Sequence, residues 1–257
     1  MGCPYQCRFC TIPAYGTKYR DIENVMEEMR VIHAQGFKEI LFQDPTLTVN
    51  SKFLTQLLSR MIEEDFQFGF SCNSDINSMN EAKIALLKDA GCHTVNIGLE
   101  SGDDKILIRY KKKLNTQKAR EVVRLFRKYR IRTLGYFIVG LPGETEETIM
   151  ATINLATSLK LDFASFAIAT PDVGSDLRRE AIEEGWIKED VDFFDSTENP
   201  VLQVPGLPIE RITHLRNLAE RKFYLRPSYI LGRLVKIREL RQTLRNGSAM
   251  IKRMLFK

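Results

Sequence analysis

Short apolar runs alternate with amphipathic stretches through the first two thirds of the chain, and no other feature constrains its fold as tightly. Ile22, Val25, Met26, Met29 and Ile32 recur at helical spacing over residues 21–35, with Asp21 placed to cap the start and Gly36 to end the run. Residues 37–42 then read as a short buried strand, and Asn50 is placed to cap a second helix reaching about residue 65. The pattern repeats: strands over 66–71, 94–99, 132–139 and 163–169, helices over 81–90, 116–129 and 144–159, and a polar loop over 73–80. Five strands separated by helices, in units of roughly 30 residues, predict a parallel sheet covered on the outside by helices. Such a series closes into a full or partial (β/α) barrel or opens into a doubly wound sheet.

In a barrel, chemistry collects in the loops at the C-terminal ends of the strands. Those loops carry Gln43-Asp44, Asn73-Ser74-Asp75, Glu100-Ser101, the turn 140–144 and Thr170-Pro171-Asp172. Each taken singly reads more readily as a cap for the following helix than as a ligand. Their repetition is what singles the set out.

Three of the five cysteines, Cys3, Cys7 and Cys10, stand within eight residues, while Cys72 and Cys92 are isolated and read as packing residues. An odd count with such clustering argues for a metal site over a disulfide framework. Thiolates are soft donors that suit an iron–sulfur cluster or zinc. A structural zinc site wants four protein ligands, yet His33 falls inside a predicted helix, and His93 and His214 are remote. A [4Fe–4S] cluster normally takes four thiolates, so three leave one iron with an open position. A zinc knuckle is the lesser alternative.

The spacing Cys3-x3-Cys7-x2-Cys10, with Phe9 before the third cysteine, resembles the signature of the radical S-adenosylmethionine (radical SAM) enzymes. The resemblance extends over about residues 1–185, through Phe42-Gln43-Asp44, through Asn96 to Gly102 and through Tyr136 to Glu144. Gly98-Leu99-Glu100-Ser101-Gly102, residues 137–145 and residues 222–230 resemble the cobalamin-binding branch. The implied fold is a partial (β/α)6 TIM-like barrel, followed by a C-terminal α-helical extension, with a core over 1–185 and a basic extension over 186–257.

The resemblance also implies a function. Cys3, Cys7 and Cys10 would hold a [4Fe–4S] cluster whose open iron is chelated by SAM. Reductive cleavage of SAM to a 5′-deoxyadenosyl radical would then serve methylation or another radical modification of a small-molecule substrate. Asp44 would sit near the SAM amine, Glu100 and Ser101 near the ribose, and Ile138, Gly140 and the backbone near Phe9 against adenine. Glu144 lies one residue beyond the glutamate of the family's adenine motif. A flavodoxin or ferredoxin would supply the electron. The alternative is a non-catalytic iron–sulfur remnant of such an enzyme.

Three departures shape the expectation. The family's first strand and the cobalamin domain of the resembling branch would both precede Cys3, which has only Met1 and Gly2 before it. The chain is therefore expected to be a fragment, with cobalamin arriving on a missing domain or a separate chain. The loop 72–77 also lacks the arginine that relatives often carry there.

No signal peptide opens the sequence and no apolar run approaches the roughly 18–20 residues of a membrane span, so a cytoplasmic protein is expected. Residues 205–257 hold thirteen basic against three acidic side chains, which leaves residues 1–204 at −5 within a total of +5. Helices are predicted over 208–225 and 228–244. A solvated basic face is the plainer reading of them, an anionic membrane surface the sharper one, and nucleic acid is not expected.

Overall fold

The computed structural model describes residues 2–187 and 201–234. Five strands, β1 (Glu39–Phe42), β2 (Gly69–Ser74), β3 (Cys92–Glu100), β4 (Arg132–Val139) and β5 (Phe163–Ile168), form one sheet in the order β1-β2-β3-β4-β5. Every pairing is parallel. This is the expected α/β architecture, the open arc of a TIM-like barrel. The connecting helices are α1 (Ile22–Ala34), α2 (Ser51–Glu63), α3 (Glu81–Asp89), α4 (Asp104–Arg109), α5 (Thr116–Lys128) and α6 (Glu146–Ser158). After β5 come α7 (Asp176–Glu183), α8 (Ile209–Tyr224) and α9 (Pro227–Leu234).

The helices begin where side chains can satisfy their first free N–H groups. Asp21, Asn50, Asn80, Asp103, Asn115, Thr145 and Ser175 each accept a backbone N–H at the start of a helix. None of these caps belongs to the polar set at the strand ends. That set is left for other work.

Two expectations shift. The second strand begins at Gly69 and not at 66, because Asp65 and Gln67 adopt left-handed backbone (φ 48° and 54°) that cannot continue a ladder. Phe66 and Phe68 are instead buried side by side, with ring centroids 5.3 Å apart and His33 against both. The short helices α4 and α7 carry too few turns to show a periodic face in the sequence. The predicted helix 228–244 starts one residue early, as α9, and its part beyond residue 234 lies outside the described residues.

The two edges of the sheet differ. At β5, α8 lies against the strand with Ile212, Leu215, Ala219 and Phe223 buried. The Tyr224 hydroxyl donates to the Ala164 carbonyl (2.6 Å) and accepts from the Ala164 amide (3.1 Å), while Arg216 Nε donates to the Phe166 carbonyl (3.1 Å). Side chains from α8 thus occupy hydrogen-bonding groups that an open edge would present to another chain. At β1, Leu41 and the nearby Phe37 are each more than half exposed.

Candidate active site

The cysteine loop is held by its backbone. The Cys10 amide donates to the Cys7 carbonyl (3.1 Å), the Arg8 amide to Tyr110 at the end of α4 (3.1 Å), and the Leu177 amide of α7 to the Arg8 carbonyl (2.8 Å). The Tyr5 hydroxyl donates to Asp75 Oδ2 at 2.7 Å, tying the loop to the end of β2. Gly2 (φ 89°) passes so close to Gly16 that a Cβ would stand 1.7 Å from its carbonyl oxygen, so only glycine fits.

Cys3, Cys7 and Cys10 are all free thiols and half-buried. Burial raises the Cys3 thiol and pushes Cys7 up to about 11, against the pull of the Lys112 ammonium. Among the described residues, no three Cys, His, Asp or Glu side chains converge as ligands of one metal ion. A cubane places each thiolate on a different iron, so its ligands stand further apart than those of a single ion. The donor set, three free thiols on one short loop beside a cavity, fits such a group.

That cavity has a volume of about 470 Å³. Phe9 and Cys10 form one wall, and Ile138, Leu141, Thr170 and Asp172, from the ends of β4 and β5, form the other. Its size lies within the roughly 300–1,000 Å³ of small-molecule sites. Phe9 and Ile138 therefore meet in one place although 129 positions separate them. Gly140 (φ 80°) turns the chain directly after β4, and a Cβ there would meet Ile212 of α8 at 2.8 Å.

The remaining sequence candidates divide. Glu100 is buried with left-handed backbone (φ 62°) at an irregularity in the β3–β4 register, and its Oε1 lies 3.1 Å from Lys112 Nζ. Gly98 makes room for this pair, since a Cβ would come within 2.3 Å of Glu100 Oε1. A bulky side chain held in that conformation costs on the order of 1–3 kcal/mol and is a mark of functional positions. Burial alone would lower the Lys112 ammonium, but the Glu100 carboxylate, and the Cys7 sulfur when ionised, outweigh it and hold it raised.

Ser101 is fully buried, with its hydroxyl 3.3 Å from that of Thr152 and accepting the Asp103 amide (3.2 Å), which engages it inside the β3–α4 turn. Asp44 is half-buried after β1, its carbonyl accepting from Asn73 Nδ2 (2.8 Å), and it does not line the cavity. Glu144 is buried behind the Gly140 turn, where its carboxylate accepts from the amides of Leu141 (2.9 Å) and Gly140. Burial pushes it up to about 8 against those two bonds, and its Oε1 has no hydrogen-bond partner. Cys72 and Cys92 are fully buried in the core. Lys112 is a further functional candidate that the sequence alone does not mark, since it is one of three consecutive lysines (111–113) and only the fold buries it.

The radical SAM superfamily profile matches residues 1–156. An uncharacterised methyltransferase of Pyrococcus horikoshii is 35% identical over 90% of this chain and 51% of its own length. The bacteriochlorophyllide d C-12(1)-methyltransferase of Chlorobaculum tepidum is 31% identical over 68% of this chain and 40% of its own length. Among solved structures, the radical SAM methyltransferase TsrM of Kitasatospora setae, with tryptophan and a SAM analogue bound, aligns with a TM-score of 0.69 at 21% identity. That alignment covers 88% of this chain and 51% of TsrM. The chain thus spans about half the length, or less, of these three proteins. The superfamily match covers well over half of the sequence and includes the cysteine loop and the end of β4 that lines the cavity. This chain belongs to the radical SAM superfamily.

Proposed function

We propose that the chain is the SAM-cleaving core of a radical SAM methyltransferase acting on a small molecule. The observation that carries this reading is the cavity shared by the cysteine loop and the ends of β4 and β5, where Cys10, Phe9 and Ile138 stand together. The relatives that are named as methyltransferases, one of them acting on a bacteriochlorophyllide, support methylation over other radical chemistries.

Cys3, Cys7 and Cys10 would hold a [4Fe–4S] cluster, which when bound supplies one electron to SAM coordinated at its open iron. The chain's own residues bind and orient. Phe9, Ile138 and the backbone at Gly140 would flank adenine, Glu100 and Ser101 would stand near the ribose, and Asp44 near the amine. Ser101 would serve the ribose through the turn it fixes, since its hydroxyl is engaged with Thr152. Lys112 adds a cation beside Cys7, suited to the carboxylate of the methionyl group. Phe9, Ile138 and Leu141 would shield the inner part of the cavity from water, which strengthens polar contacts there.

In this reading a flavodoxin or ferredoxin is the electron donor, the cytoplasm is the location, and cobalamin, where it is used, comes on a domain or chain other than these 257 residues. Residues 1–185 form the core and 186–257 the extension. Among the described residues no helix is long and apolar enough to cross a membrane. Contact of the basic extension with an anionic membrane surface is the finer proposal, and absence of liposome binding at low salt removes it.

The test is anaerobic incubation of reconstituted protein with SAM and a strong reductant. The expected product is 5′-deoxyadenosine, abolished in a Cys3→Ala, Cys7→Ala, Cys10→Ala triple variant. A full cluster without cleavage would favour the non-catalytic remnant.

A further inference from the structure

Arg8 lies between the second cysteine and the aromatic residue that faces the cavity, and it is fixed at three points. Its amide and carbonyl are hydrogen-bonded to Tyr110 (3.1 Å) and Leu177 (2.8 Å), and its guanidinium forms an ion pair with Glu180 Oε2 of α7 at 3.0 Å, a contact of opposite charges without hydrogen-bond geometry. Glu180 is shared: its Oε1 accepts from Arg109 of α4 at 3.2 Å. Arg8 and Glu180 are only 26% and 20% exposed, so this is not the freely solvated pair that contributes about 0–1 kcal/mol. One carboxylate thereby holds two cations from two other segments.

Tyr110 extends the connection. It accepts the Arg8 amide at its carbonyl, packs its ring 6.3 Å from that of Phe9, and donates its hydroxyl to the Pro142 carbonyl at 2.8 Å. Pro142 follows Leu141, which lines the opposite wall of the cavity. Glu180, Arg8 and Tyr110 therefore run as a strut from α7, through the cysteine loop, to the turn after β4.

We propose that Glu180 is a positioning residue that clamps the cysteine loop through Arg8 and sets its spacing from the β4 wall. Its bearing on a bound cluster rests on the function proposed above; its bearing on the loop does not. With the shared carboxylate removed, two guanidinium groups face each other across the place it held, and the loop keeps only its backbone bonds.

Two readouts on the whole 257-residue chain separate these parts. In the metal-free protein, tryptic cleavage after Arg8 should be slow and should rise about tenfold in Glu180→Gln, while sites in α5 are cut no faster. Arg8→Lys keeps a cleavable cation with fewer donors and should fall between the two, and it decides the matter if Glu180→Gln does not fold. In the reconstituted protein, loss of iron to a chelator should accelerate by a similar factor, with Glu180→Asp restoring part of the retention. Cleavage at the wild-type rate in both Glu180→Gln and Arg8→Lys would overturn the clamp. Clamp-dependent cleavage combined with a wild-type protein that takes up no iron on reconstitution would uphold the clamp and overturn the cluster reading instead.

Discussion

Glu144 is the residue whose ionisation the fold opposes most directly. Its pKa rises from the ordinary 4.5 to about 8, chiefly through burial. A carboxyl raised in the folded state binds more protons folded than unfolded, so its contribution is full below about pH 4.5 and is lost as pH climbs through 8. The size is on the order of 5 kcal/mol, at about 1.4 kcal/mol per pKa unit. Glu144→Gln mimics the protonated form, so it should remove most of the fall in Tm between pH 5 and 8. An unchanged pH profile in that variant would place the titration elsewhere.

Lys112 and Glu100 pose the opposite case, two charges each at most 15% exposed and 3.1 Å apart. Removing one partner of such a pair leaves an uncompensated charge and costs roughly 3–5 kcal/mol. Lys112→Met should therefore lower unfolding stability in urea by about 3 kcal/mol, and adding Glu100→Leu should recover much of it. Neither the pair nor the left-handed backbone of Glu100 was legible in the sequence. Lys112 turns inward from the turn that ends α4, where Lys111 takes left-handed backbone (φ 52°) and the Lys112 amide donates to the Leu107 carbonyl (2.9 Å), and the Glu100 it meets comes from a strand end twelve residues earlier.

At the scale of elements, much more could be read. Asp21, Asn50 and the strand over Arg132–Val139 are found where periodicity and capping place them, because those signals lie within a few residues of one another. β2 was misplaced at its start by two left-handed residues, and α4 and α7 are too short to announce themselves. The consequence reaches the site, since α4 and α7 are the elements that hold Arg8. Close packing at these junctions gives a sharp test. A Cβ on Gly102 would stand 2.4 Å from the Ala151 carbonyl oxygen and 2.6 Å from Thr152 Cα, both backbone atoms of α6 that cannot yield cheaply. Gly102→Ala should cost about 1–3 kcal/mol or more in urea denaturation, despite being the smallest change available. At the other edge, Phe223→Ala opens a cavity beside Phe166 and should cost roughly 3–5 kcal/mol in the same assay.

For the whole molecule, the cysteine spacing and the strand–helix alternation converge on one family, and the fold brings Phe9, Cys10 and Ile138 to a single cavity. The alternation was legible because each βα unit is local. The convergence was legible only as a rule about strand ends, and the rule does not distinguish Ile138, on the cavity wall, from Ser101, engaged within a turn. The basic C-terminal quarter is divided as well: α8 covers β5, while the sequence beyond residue 234 lies outside the described residues.

If three thiolates on one loop leave an iron free for SAM beside the cavity, the reduced cluster must sense SAM. Electron paramagnetic resonance of the reduced, reconstituted protein, recorded with and without SAM, tests it most directly. The expected spectrum is that of a reduced [4Fe–4S] cluster whose line shape changes when SAM is added. A cluster signal indifferent to SAM, or no cluster signal from fully reconstituted protein, would contradict it.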